Sequence, residues 1–235
     1  MGFLALATIS SGYAATLGQP DGSIDRVAAL AHASSIVAAV GVPVSADLEN
    51  GYAEDPDGVF ATVQDAAAVG LAGCSVEDFS RSSDAPIYDI GLAVERVAAA
   101  VQTAHTGSEL VLNARAENFV RGNPNLPDTI ARLQTYQDAG ADVLYAPGLT
   151  DIDDIRRVVA EVDRPLNVLA PPGLASVAEL AQAGIARLSV GGAFSRVALA
   201  AVVRAGRELL DYGTSGFKAL AAEGPEQTAI AFGAD

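Results

Sequence analysis

Seven short runs of apolar and β-branched residues are spread along the whole chain, and an Ala-rich amphipathic segment follows each of them. The runs occupy residues 3–10 (FLALATIS), 42–48 (VPVSADL), 73–78 (GCSVED), 109–115 (ELVLNAR), 141–147 (ADVLYAP), 165–170 (PLNVLA) and 186–192 (ARLSVGG). The intervening segments cover 24–40, 56–69, 90–103, 126–138, 151–162, 177–183 and 194–210. Such alternation predicts βαβ units and a parallel sheet. In VGLAGCSV, AGADVLYA and AGIARLSV a helix stops on Gly70, Gly140 or Gly184 and a strand starts two or three residues later, glycine supplying the left-handed position that ends the helix.

No linker or low-complexity stretch interrupts the pattern, so a single domain over 1–235 is expected. SSGYAATLG, after the first strand, is not the glycine-rich phosphate turn of a doubly wound sheet, which leaves an α/β fold of the (β/α)8 TIM-barrel type. Seven strands are one short of that barrel. The expectation is that a first strand and its helix, roughly 30 residues, lie upstream of this chain start. The alternative is imperfect closure, or a gap covered by another chain.

The chain has 235 residues, 50% hydrophobic and 18% charged, enough for one core of barrel size. No apolar run reaches the roughly 18 residues of a membrane helix, and the N-terminus has no basic region ahead of its apolar part. A cytoplasmic protein without a membrane partner is expected. Cys74 is the single cysteine, so no intrachain disulfide can form. A net charge of -15, with no grouped Lys or Arg, argues against nucleic acid, whose phosphates need clustered cations.

In a barrel the C-terminal strand ends face the active site. Here they offer Ser10, Ser11 and Gly12; Asp47 and Glu49; Glu77 and Asp78; Asn113, Arg115 and Glu117; Tyr145; Asn167; and Ser189. Asp47 and Glu49 are two apart, which on a strand aims both at one face despite their repulsion. Carboxylates converging from several strand ends call for a cation, and an oxygen-rich site suits Mg2+ or Mn2+. A lone acid such as Asp21 or Asp78 could instead cap a helix. His32 and His105 read as surface or packing residues, and Cys74 as a small core side chain.

The segments ATISSGYAATLGQPDG, PVSADLENGY, GCSVEDFS, LVLNARAENF, PLNVLAPPG and RLSVGGAFSRVAL together resemble the isocitrate lyase and phosphoenolpyruvate mutase superfamily, in particular its small bacterial carboxyvinyl-carboxyphosphonate phosphorylmutase-like proteins. The resemblance implies a barrel enzyme that uses Mg2+ and acts on a small 2-oxo acid through an enolate. It implies Asp47 as direct metal ligand, with Asp21, Glu49 and Glu77 holding the metal through water. Ser10, Ser11 and Gly12 resemble the loop that takes the oxo acid's carboxylate, Arg115 the arginine that pairs with substrate, and Asn167 a polar group on the far wall. Asp47, Glu77 and Arg115 are thereby the catalytic candidates. Family members commonly form oligomers, so a homodimer or homotetramer is expected.

The sequence departs from that pattern in one loop. The lyases carry Lys-x-Cys-Gly-His after the strand ending in Glu-Asp, whereas this chain has FSRSSDAPIYDIG, without the Cys or the His. The Lys and Asn of the mutase loop are also missing, although Arg81, Ser82 and Ser83 could bind an anion. Pro147 stands where lyases tend to have a glutamate. The leading expectation is a Mg2+-dependent lyase or decarboxylase-like enzyme. The alternatives are phosphorus–carbon bond chemistry on a phosphonopyruvate-type substrate, as mutase or hydrolase, and a catalytically silent barrel.

Overall fold

A computed structural model describes residues 2–170 and 173–233, so Pro171 and Pro172 of the PLNVLAPPG segment lie outside the described residues. Seven strands, β1 (Leu6–Ala7), β2 (Val44–Asp47), β3 (Gly73–Glu77), β4 (Val111–Arg115), β5 (Val143–Tyr145), β6 (Leu166–Leu169) and β7 (Arg187–Ser189), form one parallel sheet in strictly sequential order. That order, with a helix after each strand, is a TIM-barrel-like α/β fold. The sheet curls on itself: Arg187 on β7 donates to Ser45 Oγ on β2 at 3.3 Å. In the orientation that satisfies both ends of its amide, Asn113 on β4 accepts from Arg187 Nη1 at 3.0 Å.

The helices are α1 (Ser10–Thr16), α2 (Arg26–Ala39), α3 (Pro56–Ala68), α4 (Ile90–His105), α5 (Leu126–Asp138), α6 (Ile152–Glu161), α7 (Val177–Gln182), α8 (Ala193–Tyr212), α9 (Lys218–Ala221) and α10 (Gly224–Phe232). Asp25, Asp55, Asp89, Asn125, Asp151 and Ser176 cap α2 to α7 by accepting a first-turn backbone N–H. A good part of the chain's acidity therefore serves helix termini, where it also meets the favourable end of the helix dipole.

Where one domain over 1–235 is expected, the contacts divide the chain into two compact units, Met1–Gly191 and Gly192–Asp235. The first holds the sheet and α1 to α7. The second holds α8 to α10; none of the three has a buried residue, and Glu208 joins α8 to the following turn through Thr214 Oγ1 at 2.7 Å.

Strand side chains alternate in chemistry as well as direction. Val44 and Ala46, Cys74 and Val76, Leu112 and Ala114, Leu144, and Leu166 and Val168 are buried on the helix side. Ser45 and Asp47, Ser75 and Glu77, Asn113 and Arg115, Tyr145, Asn167 and Arg187 face the barrel axis, in register through the ladder. Cys74 is a core residue as expected, and burial pushes its thiol up to about 12, where it is not a nucleophile at neutral pH.

Candidate active site

The axial face of β2, β3 and β4 brings Asp47, Glu77 and Arg115 together. Arg115 is the hub: Nη1 lies 3.0 Å from Asp47 Oδ1, and Nη2 lies 2.9 Å from Glu77 Oε2 and 2.7 Å from Glu117 Oε1, which also accepts from Nε at 3.1 Å. The guanidinium sits 5.1 Å from the centre of the Tyr145 ring, a cation–π distance. Burial opposes its charge, but Glu77, Asp47 and Glu117 hold it well above the ordinary arginine value.

A second arginine, Arg121, comes from the 3-10 helix Asn118–Arg121 after β4. It reaches Glu117 Oε2 at 3.1 Å and Glu77 Oε1 at 3.7 Å, and lies 3.5 Å from the centre of the Phe79 ring. Glu117 is thus fully engaged although it is 1% exposed. Glu77 is less well served: burial pushes its carboxyl up to about 8, Arg115 and Arg121 opposing and Glu117 and Asp47 adding to the rise.

That shift has a stability consequence. The folded protein keeps a proton on Glu77 at pH values where the unfolded chain, with an ordinary carboxyl near 4.5, has lost it. Stability is then lost as pH rises through the window from about 4.5 to about 8. Thermal melts of metal-free protein should fall across this window, and Glu77→Gln should flatten the profile. An unchanged slope in that variant would refute the assignment.

Asp47 Oδ2 has Ser10 Oγ at 3.5 Å, and the backbone N–H of Glu49 donates to Oδ1 at 3.2 Å. Ser10 is therefore beside Asp47, and Ser10, Ser11 and Gly12 form the first turn of α1 and not the loop expected from sequence. Beyond the end of β2 the backbone is left-handed at Glu49 (φ 49°) and Tyr52 (φ 54°), an unfavourable conformation for residues with a Cβ. Glu49 pairs through Oε2 with Arg81 of the next loop, while its buried Oε1 has no hydrogen-bond partner among the described residues. Burial raises the Glu49 pKa; Arg81 opposes this and Asp47 and Asp21 add to it. Asp21 is exposed in the turn before α2 and reaches the group through its charge, with no helix-capping bond.

Asp78 is not a helix cap either. It accepts from Glu117 N–H at 2.8 Å and Tyr136 Oη at 2.6 Å, and pairs with Arg132 at 3.2 Å, which satisfies it as a buried strut. Asn167 lies on the same layer as Arg115 and Tyr145; its Nδ2 donates to Ser189 Oγ at 3.1 Å and its buried Oδ1 has no partner among the described residues.

Arg96 was not singled out by sequence reasoning. It lies on the buried stripe Ala93, Arg96, Val97, Ala100 of α4, and a cation on an apolar helical stripe is the signal that marks it. Its guanidinium donates to the carbonyls of Asn50, Ala53 (2.7 Å) and Glu54 and stacks 4.3 Å from the Tyr88 ring centre. Tyr88 Oη in turn donates to Glu54 at 2.8 Å and accepts from Asn50 at 3.2 Å. This clamp fixes the loop that carries Glu49 and Tyr52.

No three His, Cys, Asp or Glu side chains among the described residues converge closely enough to ligate one ion directly. A divalent cation contacted by one carboxylate and held otherwise through water does not require that. Asp21, Asp47, Glu49, Glu77 and Glu117 gather as five carboxyl groups against the three guanidiniums of Arg81, Arg115 and Arg121, so the acids outnumber the arginines even while Glu77 keeps its proton. With the unpartnered Glu49 Oε1 and the weakly engaged Asp47 Oδ2, the donor set is all oxygen and suits Mg2+.

A parallel barrel with a carboxylate and arginine cluster at its strand ends is the architecture of a polar-substrate enzyme class. The family profile for phosphoenolpyruvate phosphomutase matches residues 1–210. The chain belongs to the phosphoenolpyruvate mutase and isocitrate lyase superfamily. A crystal structure from Burkholderia cenocepacia, provisionally described as a lyase/mutase, is 49% identical with TM-score 0.95, covering 98% of this chain and 84% of that one. The crystal structure of 2,3-dimethylmalate lyase is 30% identical with TM-score 0.82, covering 92% and 78%. An uncharacterized protein of Mycobacterium tuberculosis is 32% identical over 211 residues, 89% of this chain and 78% of that protein. No helix among the described residues is long and apolar enough to cross a membrane.

Proposed function

We propose that this protein is a Mg2+-dependent lyase or decarboxylase that acts on a small 2-oxo acid by way of its enolate. The observation that supports this reading is the oxygen-donor cluster, richer in acids than in arginines, next to Arg115 and Ser10. Asp47 would contact the metal, with Glu49, Glu77 and Asp21 acting through water. When bound, the metal would supply Lewis-acid stabilisation of charge developing on the enolate oxygen.

The chain's own residues have separable tasks in this reading. Arg115 offers a rigid fork for a substrate carboxylate or its developing charge, and Tyr145 beneath it fixes the plane of the fork. The Ser10 to Gly12 turn, whose Ser10 hydroxyl lies 3.5 Å from Asp47 Oδ2, takes the oxo acid's carboxylate. Asn167 presents an unpartnered buried amide oxygen from the opposite side of the barrel. The left-handed backbone at Glu49 and Tyr52, in the loop held by the Arg96 clamp, sets the Glu49 carboxylate before a ligand arrives.

The exchange of pyruvate methyl protons with solvent deuterium tests the reading: Mg2+-dependent exchange is expected by proton NMR, and none from metal-loaded protein would sink it. Phosphorus–carbon chemistry is the second reading, supported by an arginine at the site margin, Arg81, that could meet a phosphonate. It predicts turnover of phosphonopyruvate by phosphorus NMR. The exposed apolar residues of α8, among them Val197, Leu199, Val202 and Leu210, support assembly as a homodimer or homotetramer, which light scattering would read.

A further inference from the structure

The loop after β3 is ordered by its own bonds. Phe79 and Ile87 form an antiparallel bridge, Ser80 N–H donates to the Pro86 carbonyl at 2.8 Å, and Ser80 Oγ accepts from Ser82 N–H at 3.1 Å. Arg81 stands on this hairpin in a left-handed conformation (φ 62°) and reaches back to Glu49, its guanidinium 6.0 Å from the centre of the Tyr52 ring.

Arg81 also lines a cavity of about 640 Å³ with Tyr52, Asn50, Glu54 and Arg26. That volume is in the range of small-molecule sites. Arg26 is already committed to Asp65 at 2.6 Å. Arg115 and Arg121 are each held by two or more carboxylates, whereas Arg81 has a single ion-pair partner among the described residues, Glu49, and a side chain 37% exposed. The Glu49 backbone N–H donates to Asp47 Oδ1, and the Glu49 carboxylate is close enough to feel the Asp47 charge, so it is also the group placed to serve a cation at Asp47. A cation there competes with Arg81 for Glu49 and leaves the guanidinium on the cavity wall, adjoining the acid cluster.

We propose that Arg81 is a specificity-determining residue that selects 2-oxo acids carrying a second carboxylate, which enters the cavity beside Tyr52. This inference rests on the 2-oxo acid reading above, and the test separates the two. Oxamate and N-oxalylglycine share an oxalyl unit, and only the second carries a further carboxylate. In titration calorimetry with Mg2+ present, the wild-type protein is expected to bind N-oxalylglycine at least about tenfold more tightly than oxamate, the gain of one charge-assisted pair. Arg81→Ala should lose that preference, read as the ratio of the two affinities at saturating Mg2+, and Arg81→Lys should recover part of it, because it keeps the charge without the fork. Equal binding of the two compounds by wild type, or a preference that survives in Arg81→Ala, overturns the role of Arg81. Binding of neither compound by wild type overturns the 2-oxo acid reading itself.

Discussion

Arg115→Met should cost the 1–191 unit about 3–5 kcal/mol, the range seen when one partner of a buried ion pair is removed. Asp47, Glu77 and Glu117 all lose a bond of 3.1 Å or less to the guanidinium, whose side chain is only 14% exposed. For a unit of this size the melting temperature should fall by on the order of 10 °C, read by circular dichroism. The loss should be smaller near pH 5 than near pH 8, because Glu77 is protonated at the lower value and presents less charge to be stranded. Arg115→Lys should recover part of the stability but not ligand binding, since one ammonium cannot meet three carboxylates at the angles of the fork. A melting temperature for Arg115→Met within 2 °C of wild type, roughly the effect of 1 kcal/mol or less, would show that the hub is not what neutralises these acids.

Asp47→Asn is expected to separate function from stability. Changing the partners of metal ligands already lowers affinity about 10- to 100-fold, so loss of the proposed direct contact should weaken Mg2+-dependent oxalate binding by at least about 100-fold. The same change removes one negative charge from a cluster in which acids outnumber arginines, so the metal-free variant should melt no lower than wild type. Calorimetry with oxalate and a parallel melt check both halves. A variant that still binds oxalate normally would move the metal away from Asp47.

The strands and most helices were legible because a period-2 apolar pattern and an amphipathic one alternate without interruption. Leu126–Asp138 and Pro56–Ala68 match the expected spans to within a residue. α1 was missed because Ser10, Ser11 and Gly12 favour turns as much as helix, and only their place after β1 decides. The exposure of α8 was not legible either, since a helix with no buried residue keeps the same apolar spacing as one packed on a core.

At the site, Asp47, Glu77 and Arg115 were legible from strand-end position, and the structure brings them within ion-pair distance of one another through the arginine. Asp78 was ambiguous because its role depends on Tyr136 and Arg132, more than 50 residues away in sequence. Arg96 left a signal, a cation on an apolar helical stripe, but its carbonyl partners are assembled only by folding, and Arg121 stands four residues from Glu117 on a short 3-10 turn whose place at the site depends on the ring of Phe79 and on Glu77.

The Arg96 clamp also determines where the sequence is free to drift. Tyr88, at the root of the 79–88 hairpin, is bound to Asn50, Glu54 and the Arg96 guanidinium, whereas Arg81 is joined to the β2 loop by one ion pair. Replacement or lengthening of residues 81–85 can be absorbed at the hairpin's far end without disturbing Asn50 or the backbone at Glu49. The fold thereby anchors the acid cluster and the hairpin's root independently of the hairpin's tip.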